Sequence, residues 1–408
     1  MPGVLVVSYD YPPCRAPGAA VRSAKFVHYL AELGWRATVV CRDERPARDG
    51  PGPGPVIRIG SPIEPRISYQ LAAWDWAARI VEPVGRLLRR RKYDLIYASC
   101  PPFPPGLSAL RLSRAAGLPL VVDFRDAWSL DPFASRAGPK RVAKWLLCRS
   151  AYPLAESRLI RGADAFIANT PSARREYARL LGWPIERIHL LPNGFDESDF
   201  GPHEPFPARA RPRFVYCGRF AAVADRDPGL ILHAVRELVD AGVPIELRIV
   251  GDDSTALRTA IDRLNLADTV TSFPTVPHAQ AIREMSQADV LVLFQPTSRN
   301  RITPIAGKTF EYLRSGRPIL AIVPEGDNAQ LVRCFASTCQ LVTSFNPADV
   351  LHAMKQLCIE SADRNGRAAP EVSGEFLHHY NRRNLTARLA EIFEQVIASH
   401  RRRAAKSG

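Results

Sequence analysis

At 408 residues the chain is too long for one ordinary core and suits two domains of roughly 150–200 residues each. A hydrophobic content of 46% excludes a disordered chain, and no apolar run approaches the roughly 18 residues that a membrane span needs. The net charge of +14 leaves nucleic acid, an anionic membrane or phosphorylated ligands as partners, but the basic clusters at Arg86, Arg89–Lys92 and Arg401–Arg403 lack the interleaved aromatics of a nucleic-acid stacking platform.

The opening Met1-Pro-Gly runs straight into Val4-Leu5-Val6-Val7 without the basic n-region of a signal peptide. The expectation is a cytoplasmic chain whose basic surface suits peripheral attachment at the inner face of the plasma membrane. Eight cysteines are scattered without a Cys-x-x-Cys pair, which argues against a structural metal or a disulfide framework.

Val4–Ser8 reads as a buried strand, followed by a Pro/Gly loop to Ala20, a helix over Val21–Leu33 stopped by Gly34, and a strand over Arg36–Cys41. Residues 44–55, rich in Pro and Gly, predict an exposed loop. Further strands are expected at Asp94–Ala98, Leu118–Phe124 and Ala165–Asn169, with helical segments between them. After the Pro-rich segment Gly201–Pro212, strands at Arg213–Cys217, Ile245–Val250, Val270–Phe273, Val290–Phe294 and Ile319–Val323 alternate with helices at about 228–241, 254–264, 277–287 and 308–315. Such alternation predicts an α/β fold of two doubly wound, Rossmann-like domains, spanning 1–200 and 208–373. A helical tail over 374–408 is expected to cross back to the first.

A nicotinamide site is disfavoured, because Tyr9-Asp-Tyr-Pro-Pro stands where a dinucleotide fold places Gly-x-Gly-x-x-Gly. The nine histidines show no metal-ligand spacing, and no Gly-x-Ser-x-Gly elbow occurs. The most informative stretch is Thr303–Pro318, where a loop ending in Ile305 and the small Ala306 and Gly307 feeds a helix carrying Lys308, Thr309 and Glu311 in its opening turns. A helix start offers backbone N–H groups and a positive dipole end to an anion. A carboxylate slightly further in can accept hydrogen bonds from a ribose diol. Phosphate and sugar recognised together point to a nucleotide-sugar site. Glu311 could instead compensate the helix dipole and pair with Arg314.

Six stretches carry a resemblance: Tyr11-Pro-Pro with Pro17-Gly-Ala-Ala-Val-Arg22, Val122-Asp-Phe-Arg-Asp-Ala-Trp128, Asn169-Thr-Pro-Ser172, Leu191-Pro-Asn-Gly-Phe-Asp196, Tyr216-Cys-Gly-Arg219, and Gly307–Pro318. In this order the chain resembles GT-B-fold glycosyltransferases of the family 4-like group, retaining enzymes that use nucleotide sugars. The resemblance implies two Rossmann-like domains facing a central cleft and a hexosyltransferase-type enzyme serving cell-surface polysaccharide or glycolipid synthesis. The substrates it implies are a nucleotide diphosphate sugar and a glycan, lipid-linked or small-molecule acceptor; no metal or other cofactor is expected.

On the donor side it implies Gly218, Arg219 and Arg226 around the diphosphate, with Arg226 replacing a customary lysine. Gly251, Thr275 and Val276 would lie along the nucleotide, and Glu311 would take the ribose. Thr303 stands where the family's Glu-x7-Glu signature has its first glutamate, so that glutamate's contact to the sugar is missing here. On the acceptor side it implies Gly18, Ala19, Arg22, Asp123, Arg125 and Asp126. Arg125 stands at a common histidine position and cannot accept a proton, leaving Asp123 or Asp126 to orient the acceptor hydroxyl or act as base. Trp128 suits a sugar stack or, as a lone tryptophan, the core. Two other readings stay open at this point: a nucleotide-sugar 2-epimerase of the same fold, and a non-catalytic nucleotide-sugar-binding protein.

Overall fold

The computed structural model describes residues 1–14, 17–43, 55–65, 68–130, 142, 146–147, 149–202, 205–220, 229–295, 302–364, 366–368 and 371–407. The chain divides into two compact units, one of Met1–Asn193 with Arg382–Gly408, the other of Gly194–Ser298 with Thr303–Asn381. The predicted 44–55 loop falls almost wholly outside the described residues.

In the first unit, strands β1 (Gly3–Ser8), β2 (Arg36–Arg42), β3 (Val56–Ile59), β4 (Leu95–Cys100), β5 (Leu120–Phe124), β6 (Ala165–Ala168) and β7 (Ile188–Leu190) form one parallel sheet in the order 3-2-1-4-5-6-7. Helices α1 (Pro17–Glu32), α2 (Tyr69–Arg90), α3 (Pro104–Ala116), α4 (Ala151–Gly162) and α5 (Pro171–Leu181) link them. Along β1, Leu5 and Val7 enter a core with Trp76, Ile80 and Phe124. Val4 and Val6 face the opposite core, with Phe26, Leu30 and Phe393. Burial on both faces is why this strand is an unbroken apolar run and not an alternating one.

The second unit repeats the design. Strands β8 (Arg213–Cys217), β9 (Glu246–Val250), β10 (Val270–Phe273), β11 (Val290–Phe294), β12 (Ile319–Ile322) and β13 (Cys339–Val342) are ordered 10-9-8-11-12-13, all parallel. Its helices are α6 (Gly229–Asp240), α7 (Thr255–Arg263), α8 (His278–Ser286), α9 (Gly307–Ser315), α10 (Asp327–Phe335), α11 (Pro347–Arg364) and α12 (Gly374–Tyr380). In each sheet the order reverses beside its first strand, at β1/β4 and at β8/β11. That is where open α/β sheets leave a crevice beyond the strand ends.

Three expectations need correction. The edge strands β3, β7 and β13 escape the sequence reading because they are short and only partly buried. Helix α1 starts at Pro17, a residue suited to a first helical turn, and not at Val21. The tail is two helices. Phe376 and Tyr380 of α12 pack on Phe195, Phe335 and Phe310 within the second unit, whereas α13 (Arg382–Ser407) seats Leu385, Leu389 and Phe393 in the first.

Candidate active site

At the β8/β11 crossover the backbone itself makes room. Gly218 has φ +122° and Gly251 φ +110°; a Cβ on Gly251 would lie 3.1 Å from the Gly218 Cα, and one on Gly218 would lie 2.9 Å from Lys308 Nζ. The positive φ at both positions and the close backbone approach of Gly251 to Gly218 require glycine, and the Lys308 ammonium reaches the same spot. Lys308 lies over the Tyr216 ring, 3.8 Å from its centroid. The Tyr216 hydroxyl donates to the Arg219 carbonyl at 2.9 Å, and Asp252 accepts from Phe220 N at 2.7 Å, which fixes the turn presenting the exposed Arg219 side chain.

The loop before α9 rests on a buried polar network. Thr309 Oγ1 donates to Asn328 Oδ1 (2.8 Å), Asn328 Nδ2 donates to Gln295 Oε1 (2.5 Å), and Gln295 Nε2 donates to the Pro304 carbonyl (2.9 Å). Thr309 is fully buried. Its expected donor contact is therefore corrected: the hydroxyl faces inward and holds the loop. Thr303 is likewise engaged, accepting from Asp327 N at 2.8 Å at the start of α10. Gly307 is exposed, while Ile305 and Ala306 are half-buried beside it.

Glu311 reaches His278, with Oε1 2.9 Å from Nε2, and His278 Nδ1 stands 3.7 Å from Asp199 Oδ2. Arg314 turns away to grip Glu197 as a two-point ion pair, so the Glu311–Arg314 pairing is corrected. The sequence alone assigns His278 no role, because it has no metal-ligand spacing. Its signal is position, directly after the exposed Thr275 and half-buried Val276 where β10 ends. Arg226 lies outside the described residues.

In the first unit, two expected acceptor residues are structural. Arg22 Nε donates to Asp123 Oδ2 at 2.8 Å, and its other nitrogens donate to the Leu191 and Pro192 carbonyls and to Asn193 Oδ1. Asp123 is fully buried and also accepts from the Tyr97 hydroxyl. Burial first, then the Asp123 charge, raises Tyr97 well above an ordinary phenol and keeps it a donor. Arg22 and Asp123 thus tie α1, β5 and the strand exit at Leu191–Asn193 together. Arg125 is also turned inward, donating to the Cys100 and Pro101 carbonyls.

Asp126 stays exposed at the end of β5. Its loop is anchored by buried Glu156, which accepts from Tyr177, Ser129 and the Trp128 N–H; Trp128 is core, stacked on Phe103. The sequence reading also missed Asp10 and Tyr69 at the β1/β4 crossover, where the Tyr69 hydroxyl donates to Asp10 Oδ2 at 3.1 Å. Asp10 could have been found as the first charge after β1; Tyr69, at a helix start far along the chain, carried no signal. Gly18 and Ala19 fall in the first turn of α1, and their side-chain positions lie outside the described residues.

Known families match both units. The description "Glycosyl transferase 4-like domain" matches residues 17–194 and "Glycosyl transferases group 1" residues 211–359. The D-inositol 3-phosphate glycosyltransferase of Pseudarthrobacter chlorophenolicus is 24% identical over 397 residues, covering 90% of each chain. That of Paenarthrobacter aurescens is 25% identical, covering 89% of this chain and 92% of its own. Among solved structures, sucrose-phosphate synthase from Thermosynechococcus elongatus superposes with a TM-score of 0.72 at 16% identity, covering 98% of this chain and all (100%) of its own. Anabaena Alr3699/HepE in complex with UDP and glucose does so at 0.62 and 16%, covering 97% and 100%. A UDP-GlcNAc 2-epimerase from Neisseria meningitidis shares the fold with a TM-score of 0.57 at 12% identity, covering 96% and 100%. Fold alone therefore does not separate transfer from epimerisation, whereas both matched family descriptions are of transferases.

Proposed function

Since the chain belongs to the family 4-like, GT-B-fold glycosyltransferases, we propose that it moves a sugar from a nucleoside diphosphate to an acceptor hydroxyl, with the donor on its second unit and with retention of configuration. The observation that carries this reading is the convergence of Lys308 Nζ, the Gly218–Gly251 backbone and the α9 start at one strand crossover.

Transfer breaks the bond between the sugar C1 and the diphosphate, and negative charge grows on the departing phosphate. A charge-assisted hydrogen bond offers roughly 1.5–3 kcal/mol, whereas an exposed helix terminus offers about 0.3–1. The cations at Lys308, Arg219 and Arg226 therefore carry most of the compensation, in a role a divalent metal fills elsewhere. Glu311 accepts from the ribose hydroxyls, with His278 holding its second oxygen in place. Backbone at Thr275–Val276 lies along the base. With Thr303 committed to Asp327, the sugar loses the contact a glutamate would give. The acceptor comes in near Asp126, and the leaving diphosphate takes the acceptor proton on the same face. Glycan or lipid-linked acceptors and peripheral attachment to an anionic membrane in the cytoplasm complete the proposal.

The test is calorimetric titration of UDP and GDP sugars. Lys308→Ala is expected to weaken binding about 10- to 100-fold, Glu311→Ala comparably, and His278→Ala by a few-fold. Wild-type affinity in both Lys308→Ala and Glu311→Ala would overturn the donor assignment, and loss of turnover in EDTA would overturn the metal-free role of the cations.

A further inference from the structure

Part of the basic clusters evident in the sequence is paired in the fold. Arg86 pairs with Glu82, Arg401 with Asp94 and Arg403 with Asp164. A different surface of the first unit keeps its charge. Between α3 and α4 lies an open groove of about 640 Å³. On α3, Leu107, Leu110, Arg111 and Arg114 follow the i, i+3, i+4, i+7 spacing of one helix face. Across from them α4 contributes Leu154 and Arg158, one turn apart. All three arginines are exposed, and among the described residues no ion pair or side-chain hydrogen bond engages them. Neither helix offers an exposed acid to offset them: α3 contains none, and the single acid of α4, Glu156, is buried against Ser129 and Tyr177. Leu154 is 76% exposed, and Leu146 and Leu147, just ahead of α4, are exposed as well.

An apolar trough rimmed by uncompensated guanidinium groups fits a ligand that is anionic at one end and oily at the other. We propose that this groove docks the protein on the anionic leaflet of a membrane, the arginines gripping lipid phosphates while the exposed Leu154, with Leu146 and Leu147, enters the acyl region. Planar guanidinium groups match phosphate oxygens two at a time. The volume falls within the range of sites that enclose part of an organic molecule, so the groove admits a stretch of one lipid chain as well as a headgroup. The proposal deepens the peripheral-membrane part of the reading above and is independent of the donor site.

Full-length protein is sedimented with vesicles of phosphatidylglycerol and phosphatidylcholine in equal parts, and with phosphatidylcholine alone. Salt-sensitive binding to the anionic vesicles only is expected. Each of Arg111→Ala, Arg114→Ala and Arg158→Ala should weaken it roughly fivefold, and the triple variant about 100-fold. Leu154→Ser should weaken binding without changing its salt dependence. All four positions are exposed, and unchanged melting and unchanged UDP binding in each variant exclude misfolding. If wild type ignores anionic vesicles, both the groove and the peripheral reading fail. If the triple variant still binds, or if Arg89→Ala/Arg90→Ala/Arg91→Ala abolishes binding instead, the groove alone fails. If an acidic polypeptide binds the arginines while Leu154→Ser leaves vesicle binding intact, the partner is a polyanion and the lipid assignment fails.

Discussion

Arg22 shows how far a motif residue can be from the role its neighbours suggest. It sits in a sequence stretch shared with acceptor sites, yet every nitrogen faces the protein, and its partner Asp123 has no solvent exposure. Removing one member of a buried ion pair leaves the other charge stranded, at a cost of about 3–5 kcal/mol. Arg22→Met or Asp123→Asn is therefore expected to lower the melting temperature of the first unit sharply while UDP affinity, which the proposed function assigns to the second, stays unchanged. Differential scanning calorimetry with and without UDP reads both. A variant that melts normally but loses acceptor turnover would restore the acceptor role. Lys308 is the converse case: its ammonium lies beside the Gly218 backbone and over the Tyr216 ring, and its grip on a donor phosphate is the proposal that the Lys308→Ala titration tests.

At the scale of elements, the buried strands were legible because their composition has one explanation: a run such as Val290–Phe294 is apolar at every position and is buried at every position. The edge strands β3, β7 and β13 were not, since partial burial erases that pattern. Site loops divide in the same way. The helix start at Gly307 was readable from its small residues, but the network of Gln295, Asn328 and Thr309 beneath it joins residues far apart in sequence, and nothing local announces it.

The Asp126 loop hangs on another such long-range anchor, Glu156. Burial raises this carboxyl above its ordinary value, against the opposing pull of hydrogen bonds from Ser129 and Tyr177 and the backbone of Ser129 and Trp128. The folded protein thus holds its proton more tightly than the unfolded chain. Its contribution to stability is full below the unfolded value, about 4.3, and declines as pH rises through the folded one. Glu156→Gln removes this titration. The melting temperature of wild type relative to the glutamine variant should therefore fall as pH rises across that window, and parallel melting curves from acid to neutral pH would contradict the assignment.

For the whole molecule, the cysteines supply separate reporters of the two units. Cys41 and Cys100 are fully buried in the first, Cys217 and Cys358 nearly so in the second, and burial pushes all four thiols up to about 12. A thiol both buried and protonated reacts only when its unit opens. Exposed Cys334 has no such protection and should react at once. Each unit has its own pair of cores, one on either face of its sheet, so each is expected to open independently. A ligand that binds only one unit then protects only that unit's thiols. UDP at about 100 times its dissociation constant stabilises its unit by about 2.7 kcal/mol, close to a 100-fold slowing of labelling. Site-resolved mass spectrometry at mildly alkaline pH should show that slowing at Cys217 and Cys358 and none at Cys41 and Cys100. Protection of the first unit alone would move the donor to the other sheet, and equal protection of all four would mean that the two units open as one.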